Sequence, residues 1–386
     1  MENEIENSES LQEDLQNPIS SLCELMEANE SARYLNSFGQ LEGIKTVDHL
    51  LKEIRTKVKN TEPKQVQEEK VSVLSSEEFY KVFTASASKF VEQGVQEKFR
   101  RSNVLVGGAG SIGNPIAMMA VRSGAENITI ADPDVVEDSN LARQEYLKDQ
   151  VGKNKAEMTV ENMSKINPYA KDKLKSIPEG ITKENVEELV KNSDIIIDGI
   201  DIRAADMSWE LHKYACQYKK PVIVGYDMAG TAMVAVYRYD KDVEKVLNGE
   251  ISEETIEEFK KVKSAYKEGR IKESEFLNYV YDTLTGPINP LKVPVEQFKE
   301  LISRDSNDTR TYQDGTTSRL LSALTIETMR KIYAGEEVKK IITLDLPSSV
   351  RRFNPTIFTK VGLMLKALNV VNKRGAEVKD MTNKLK

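Results

Sequence analysis

The stretch that most constrains the fold lies between residues 104 and 144, which read VLVGGAGSIGNPIAMMAVRSGAENITIADPDVVEDSNLARQ. Val104-Leu105-Val106 is a short apolar run that ends in glycine, the mark of a buried strand. Gly108-Ala109-Gly110-Ser111-Ile112-Gly113 follows at once. A helical pattern then runs from Pro115 to Ser123, and a second apolar run from Asn127 to Ala131 closes on Asp132. That order is a phosphate-binding βαβ unit. Gly108 allows the tight turn and Gly110 lets backbone approach a phosphate. Gly113 lets the helix pack on the strand, so that the helix N-terminus faces the anion. Asp132 stands 22 residues beyond Gly110, where an acid takes ribose hydroxyls. A glycine loop alone does not separate NAD from ATP.

The continuation favours ATP. It reads Asp132-Pro-Asp134-Val-Val-Glu-Asp138-Ser139-Asn140-Leu-Ala-Arg143-Gln144, then Gly152-Lys-Asn-Lys155. A triphosphate needs a forked donor and a compact positive charge, which Arg143 and Lys155 supply; a dehydrogenase needs neither here. Asp134 also fits a plain helix cap or turn former. Farther on, Ser193-Asp194-Ile-Ile-Ile-Asp198-Gly-Ile-Asp201-Ile-Arg203 is another buried strand ending in acids. Carboxylates at a strand's C-terminal end, beside phosphates, suit Mg²⁺, although Asp198 fits backbone satisfaction equally well.

Together these segments resemble the nucleotide-binding domain of the ubiquitin-activating enzymes and their bacterial relatives, the ThiF/MoeB/HesA family. The likeness covers residues 90–240, and 310–370 more loosely. It rests on the glycine loop, D-x-D-x-V-x-x-S-N-L-x-R-Q, G-x-x-K and an acid motif at Asp198–Asp201. The resemblance implies ATP-dependent adenylation of a carboxylate, the C-terminus of a ubiquitin-like protein or a peptide, with release of pyrophosphate. It implies that Gly108, Gly110 and Gly113 form the phosphate loop and that Asp132 holds the ribose. Asn140, Arg143 and Lys155 contact the triphosphate, Gln144 orients the site, and Asp201 binds Mg²⁺. It also implies a homodimer. The chemistry has a plain rationale: a carboxylate is a poor electrophile, and joining its oxygen to AMP supplies a leaving group. The protein must hold two anions together and neutralise charge developing on phosphate.

Three departures bear on that reading. Asp201 is followed by Ile202 where the family has asparagine, and Arg203 comes sooner than the usual arginine. Upstream of Gln96, Thr84 stands where the family carries an arginine that reaches across a dimer; Lys81 or Lys89 is the nearest cation to replace it. The chain has two cysteines, Cys23 and Cys216, both in amphipathic helical contexts that suit core packing, so thioester transfer is not expected. Two cysteines with His49 and His212 show no zinc spacing.

With 386 residues, the chain is long enough for about two domains. Its net charge of −7 offers no general attraction to nucleic acid. No apolar run approaches the roughly 18 residues of a membrane span. The acidic start, Met-Glu-Asn-Glu-Ile-Glu, lacks the basic region of a secretory signal. A cytoplasmic setting is expected.

The expected architecture is α/β, a Rossmann-like, mostly parallel sheet flanked by helices, with a small helical N-terminal module. Residues 1–74 form that module and a charged linker, 75–240 the ATP-binding domain, and 241–386 a crossover or helical insertion and the C-terminal part of the adenylation domain. Strands are expected near 103–107, 127–131, 173–177, 194–198, 221–225, 232–238 and 341–346. Helices are expected at 253–267, 273–282 and 316–333, the last capped by its Ser/Thr start. Arg351 and Arg352 fit either a substrate carboxylate or the surface. An NAD-dependent oxidoreductase and a non-catalytic nucleotide-binding scaffold are the alternatives.

Overall fold

Strand β1 (Asn103–Gly107) and strand β4 (Ile195–Asp198) carry consecutive apolar side chains because they are covered on both faces. Val104, Val106, Ile195 and Ile197 point into one core, and Leu105 and Ile196 into the other. All six are at most 2% exposed, each worth about 1.5–3 kcal/mol of burial. Such strands need helices on either side, which the chain supplies between its parallel strands.

The computed structural model describes residues 74–385 apart from 242–244, 284–289 and 306. The N-terminal helical module proposed from the sequence lies outside the described residues. The sheet has seven strands in the order β3-β2-β1-β4-β5-β6-β7, adding β2 (Asn127–Ala131), β3 (Leu174–Ile177), β5 (Val222–Met228), β6 (Thr231–Tyr237) and β7 (Ile341–Asp345). β3, β2, β1, β4 and β5 run parallel. β6 pairs antiparallel with both β5 and β7. This is the mostly parallel α/β sheet expected from the sequence.

The α-helices, in chain order, begin with α1 (Ser76–Thr84), α2 (Gln93–Arg101), α3 (Gly113–Arg122), α4 (Lys155–Ile166), α5 (Val186–Lys191), α6 (Ala205–Gln217), α7 (Glu253–Lys267) and α8 (Glu273–Thr283). They are followed by α9 (Val295–Ser303), α10 (Gly315–Tyr333), α11 (Leu346–Val350) and α12 (Ile357–Leu385). α3 and α10 cover one face, with Ile116, Ala120, Leu321 and Met329 in its core. α6, α7 and α8 cover the other, through Leu211, Phe259 and Phe276. The Ser/Thr cap expected for α10 is not what forms. Asp314 is the N-cap, and the Thr316 hydroxyl bonds back to the Asp314 carboxylate. The 29-residue α12, for which no helix was expected, packs across α8 and α9.

Register sets the site. Gly107 lies opposite Ala131 on one side and Asp198 on the other, and Asp198 opposite Val224. The chain leaves β1, β2 and β4 at one level, and the order reverses between β1 and β4. Ligands of open α/β sheets bind at that switch point.

Candidate active site

The glycine loop joins β1 to α3 at the switch point. Gly108 has φ +88°, and a Cβ there would lie 2.2 Å from the Gly199 carbonyl oxygen. A Cβ on Gly113 would sit 1.9 Å from the Gly108 carbonyl oxygen. Only bare backbone closes this turn. Around Gly110 nothing lies within 4 Å of where a Cβ would point, so the loop is open on that side. This fits an anion approached by backbone at a helix N-terminus.

Asp132 emerges from β2 and reaches back to the loop. One carboxylate oxygen accepts from Ala109 N at 2.6 Å and the other from Asp134 N at 2.8 Å. Burial raises its pKa, and those two backbone donors together with nearby Lys155 act against the rise. Asp134 is more than a turn former: its carboxylate pairs with Lys155 Nζ at 2.9 Å. Lys155 opens α4, whose N-cap is Asn154, and its side chain is only 10% exposed.

The Ser-Asn-Leu-Ala-Arg-Gln element folds as a 3₁₀ turn, Asp138–Asn140, followed by irregular backbone. Asn140 is buried, and its side-chain oxygen accepts from Glu137 N at 3.0 Å. Arg143 Nε donates to Ser111 Oγ at 2.8 Å and Nη1 to the Ser139 carbonyl at 2.7 Å. Gln144, 4% exposed, places Nε2 3.5 Å from the same Ser111 hydroxyl, and its Oε1 is buried without a partner. Gly108, Gly110, Gly113, Asp132, Asn140, Arg143, Gln144 and Lys155 thus lie along one loop system at the C-terminal edge of the sheet.

The two acids after β4 separate. Asp198 is buried; it accepts from Ile200 N at 3.0 Å and from Ser208 Oγ, and lies 3.3 Å from His212 Nε2. These contacts are internal to the fold, the backbone-satisfying alternative. Asp201 caps the turn Ile202–Ala204, accepting from Arg203 N at 2.8 Å, with its side chain 58% exposed. Arg203 spans from Asp201 at 3.5 Å to Glu273 at 3.4 Å and the Thr309 carbonyl at 3.1 Å. Mg²⁺ is commonly held by one or two carboxylates plus phosphate oxygens, and Asp201 offers one. No group of three or more His, Cys, Asp or Glu side chains able to hold a metal occurs among the described residues.

Gln96 Nε2 donates to Tyr80 OH at 2.8 Å and to the Ser123 carbonyl at 2.9 Å, tying α1 and α2 to the end of α3. Lys81, beside Tyr80, is therefore at the opposite end of α3 from the glycine loop of its own chain. Cys216 lies on α6 against the second core. Arg351 pairs with Glu296, and Arg352 lies over the Phe353 ring.

Sequence reasoning assigned no role to four features. Ser111 is the meeting point of Arg143 and Gln144. Tyr146, buried, donates to the Ala109 carbonyl at 2.8 Å, and burial drives its pKa upward, so it stays a donor. The first turn of α10 backs the arginine: Arg319 donates to the Arg143 carbonyl at 3.0 Å and pairs with Glu145 at 2.8 Å. Asp227, at the end of β5, receives Ser318 Oγ at 3.4 Å, and its Oδ1 is buried without a hydrogen bond. Burial, reinforced by the Asp314 charge, pushes Asp227 up to about 6 against the Ser318 and Thr317 hydroxyls.

The family model described as the ThiF family matches residues 84–360. The chain belongs to the ThiF family. This ThiF-family chain is 30% identical over 154 residues to the adenylyltransferase and sulfurtransferase UBA4 of Lodderomyces elongisporus, covering 40% of this chain and 33% of that protein. It is 29% identical over 149 residues to the sulfur carrier protein adenylyltransferase of Thermus thermophilus, 38% of this chain and 50% of that protein. The ThiS adenylyltransferase of Bacillus subtilis is 36% identical over 109 residues, 28% of this chain and 32% of that protein. The matched part thus spans a third to a half of the curated relatives' lengths. The solved structure of selenomethionine PaaA covers 84% of this chain and 88% of its own, at 18% identity and a TM-score of 0.48.

Proposed function

We propose that this chain is an ATP-dependent adenylyltransferase. It activates a carboxylate, the C-terminus of a ubiquitin-like protein or a peptide, as an acyl-adenylate, and releases pyrophosphate without a thioester cysteine. The observation that carries the proposal is Arg143 hydrogen-bonded onto Ser111 of the glycine loop, with Lys155 nearly buried at the head of the next helix. A fork and an ammonium beside an open anion-binding turn suit a polyphosphate. The adenylyltransferase names of the relatives support the same reading. An NAD-dependent oxidoreductase has no use for that pair of cations.

In this reading Gly108, Gly110 and Gly113 receive phosphate, and Asp132 holds the ribose. Asn140, Arg143 and Lys155 neutralise the triphosphate, and Gln144 orients the site. Asp201 holds Mg²⁺, whose role is to neutralise charge on the phosphates when bound. Lys155 Nζ, paired with Asp134 in the ATP-free protein, turns toward the phosphates in this reading. The substrate carboxylate oxygen attacks the α-phosphorus, the bond to the bridging oxygen breaks, and pyrophosphate departs with the electron pair. Residues 75–240 carry the nucleotide, and 241–386 the walls over the substrate. A homodimer working in the cytoplasm completes the proposal.

ATP–pyrophosphate exchange tests it, with candidate ubiquitin-like proteins and peptides and with Mg²⁺ varied. Exchange that needs Mg²⁺ and a carboxylate, and that falls by two to three orders of magnitude (about 100- to 1000-fold) in Arg143→Ala, is the expected result. Tight ATP binding without exchange for any candidate would favour a nucleotide-binding scaffold.

A further inference from the structure

The glycine loop does more than present backbone. Ser111 is 4% exposed, and its hydroxyl lies between Arg143 Nε at 2.8 Å and Gln144 Nε2 at 3.5 Å. Arg143 has five N–H groups. Ser111 takes the one on Nε, and the Ser139 carbonyl takes one on Nη1. Nη2 has no hydrogen bond to another described residue. The guanidinium is therefore held at Nε and at Nη1, with the Nη2 N–H groups left for a ligand. A guanidinium has one plane and a fixed fork, so anchoring Nε sets where the remaining donors point.

The Ser111 hydroxyl, having accepted from Arg143, has a proton of its own to place. Gln144 Oε1, the other end of the amide whose Nε2 approaches Ser111, is buried and unpartnered. Turning the Gln144 amide over brings that acceptor to the hydroxyl, so the three side chains can form one directed chain, Arg143 to Ser111 to Gln144. Behind them the backbone is fixed as well. The Arg143 carbonyl accepts from Arg319, and Gly315 approaches so closely that a Cβ there would lie 2.5 Å from the Ala142 carbonyl oxygen.

We propose that Ser111 is a positioning residue: by holding Nε, its hydroxyl fixes the guanidinium plane so that Nη2 of Arg143 faces the phosphates of ATP. The inference rests on the nucleotide reading above and adds to it a residue that acts through Arg143. Ser111→Ala and Ser111→Gly both remove the hydroxyl.

The test is calorimetric titration of the full-length chain with ATP and with AMP, for wild type, Ser111→Ala, Ser111→Gly, Arg143→Ala and the Ser111→Ala/Arg143→Ala double variant. The expected result is that ATP affinity falls about tenfold in both Ser111 variants, while AMP affinity falls less. In the Arg143→Ala background, losing the hydroxyl should add nothing, because the group it positions is gone. Three results would overturn the inference: unchanged ATP affinity, equal losses for ATP and AMP, or the same additional loss without Arg143. If wild type bound no ATP, the nucleotide reading itself would fail and this inference with it. If wild type bound ATP and Arg143→Ala bound it equally well, only the role given to Arg143, and hence to Ser111, would fall.

Discussion

At the residue scale, the site is a set of charges held by few partners. Asp134→Asn leaves the Lys155 ammonium nearly buried without its counter-charge. We expect the ATP-free protein to lose about 1–3 kcal/mol, and the rise in melting temperature on adding ATP to exceed that of wild type. Thermal melts with and without ATP check this, and an unchanged ATP-free melt would contradict it. Asp227 gives a pH signature. Its folded pKa, about 6, exceeds the ordinary carboxylate value near 4. Between those values the folded state holds a proton that the unfolded chain has released, so stability falls as pH rises through the window. Asp227→Asn should therefore melt higher than wild type above pH 6, with the gap closing towards pH 4. A gap that widened on acidification would refute the assignment.

At the scale of elements, the glycine turn is the least forgiving. Gly113→Ala puts a methyl group where the Gly108 carbonyl already is, so the turn must open. Nucleotide binding should be lost, with a fall in stability of about 1–3 kcal/mol, measured by denaturant titration. Full ATP affinity in this variant would mean that the turn does not hold the ligand. The central strands were legible because they are short apolar runs buried on both faces, as in Ile195-Ile196-Ile197. α3 was legible because glycine, proline and an apolar face mark its start. α12 was not: Gly362 interrupts it, and Ile357, Phe358, Leu365 and Leu368 are exposed, so the apolar pattern does not trace one buried stripe. For the site, motif spacing pointed to Arg143, Lys155 and Asp132. Ser111 and Asp227 could not be read that way, because their importance comes from neighbours 32 and 91 residues away along the chain. The pairing of Asp134 with Lys155 was hidden for the same reason.

At the scale of the whole molecule, the nucleotide edge and the late part of the chain are one structure. β7 extends the sheet through β6, and α10 packs on its face while its first turn supports Arg143. Leu321 is fully buried in that contact, and a Cβ on Gly225 would lie 3.0 Å from its Cδ2. Leu321→Ala should cost about 2–5 kcal/mol in denaturant unfolding and weaken ATP binding in proportion to the loosening of α10. Undiminished stability would show that this face tolerates a cavity. Adenylation here requires positive side chains to converge on a bound triphosphate. A crystal structure with ATP and Mg²⁺ tests that most directly. Arg143 Nη2 and Lys155 Nζ are expected within hydrogen-bond distance of phosphate oxygens, with Lys155 released from Asp134. ATP bound with both side chains turned away, or Lys155 still paired to Asp134, would contradict it.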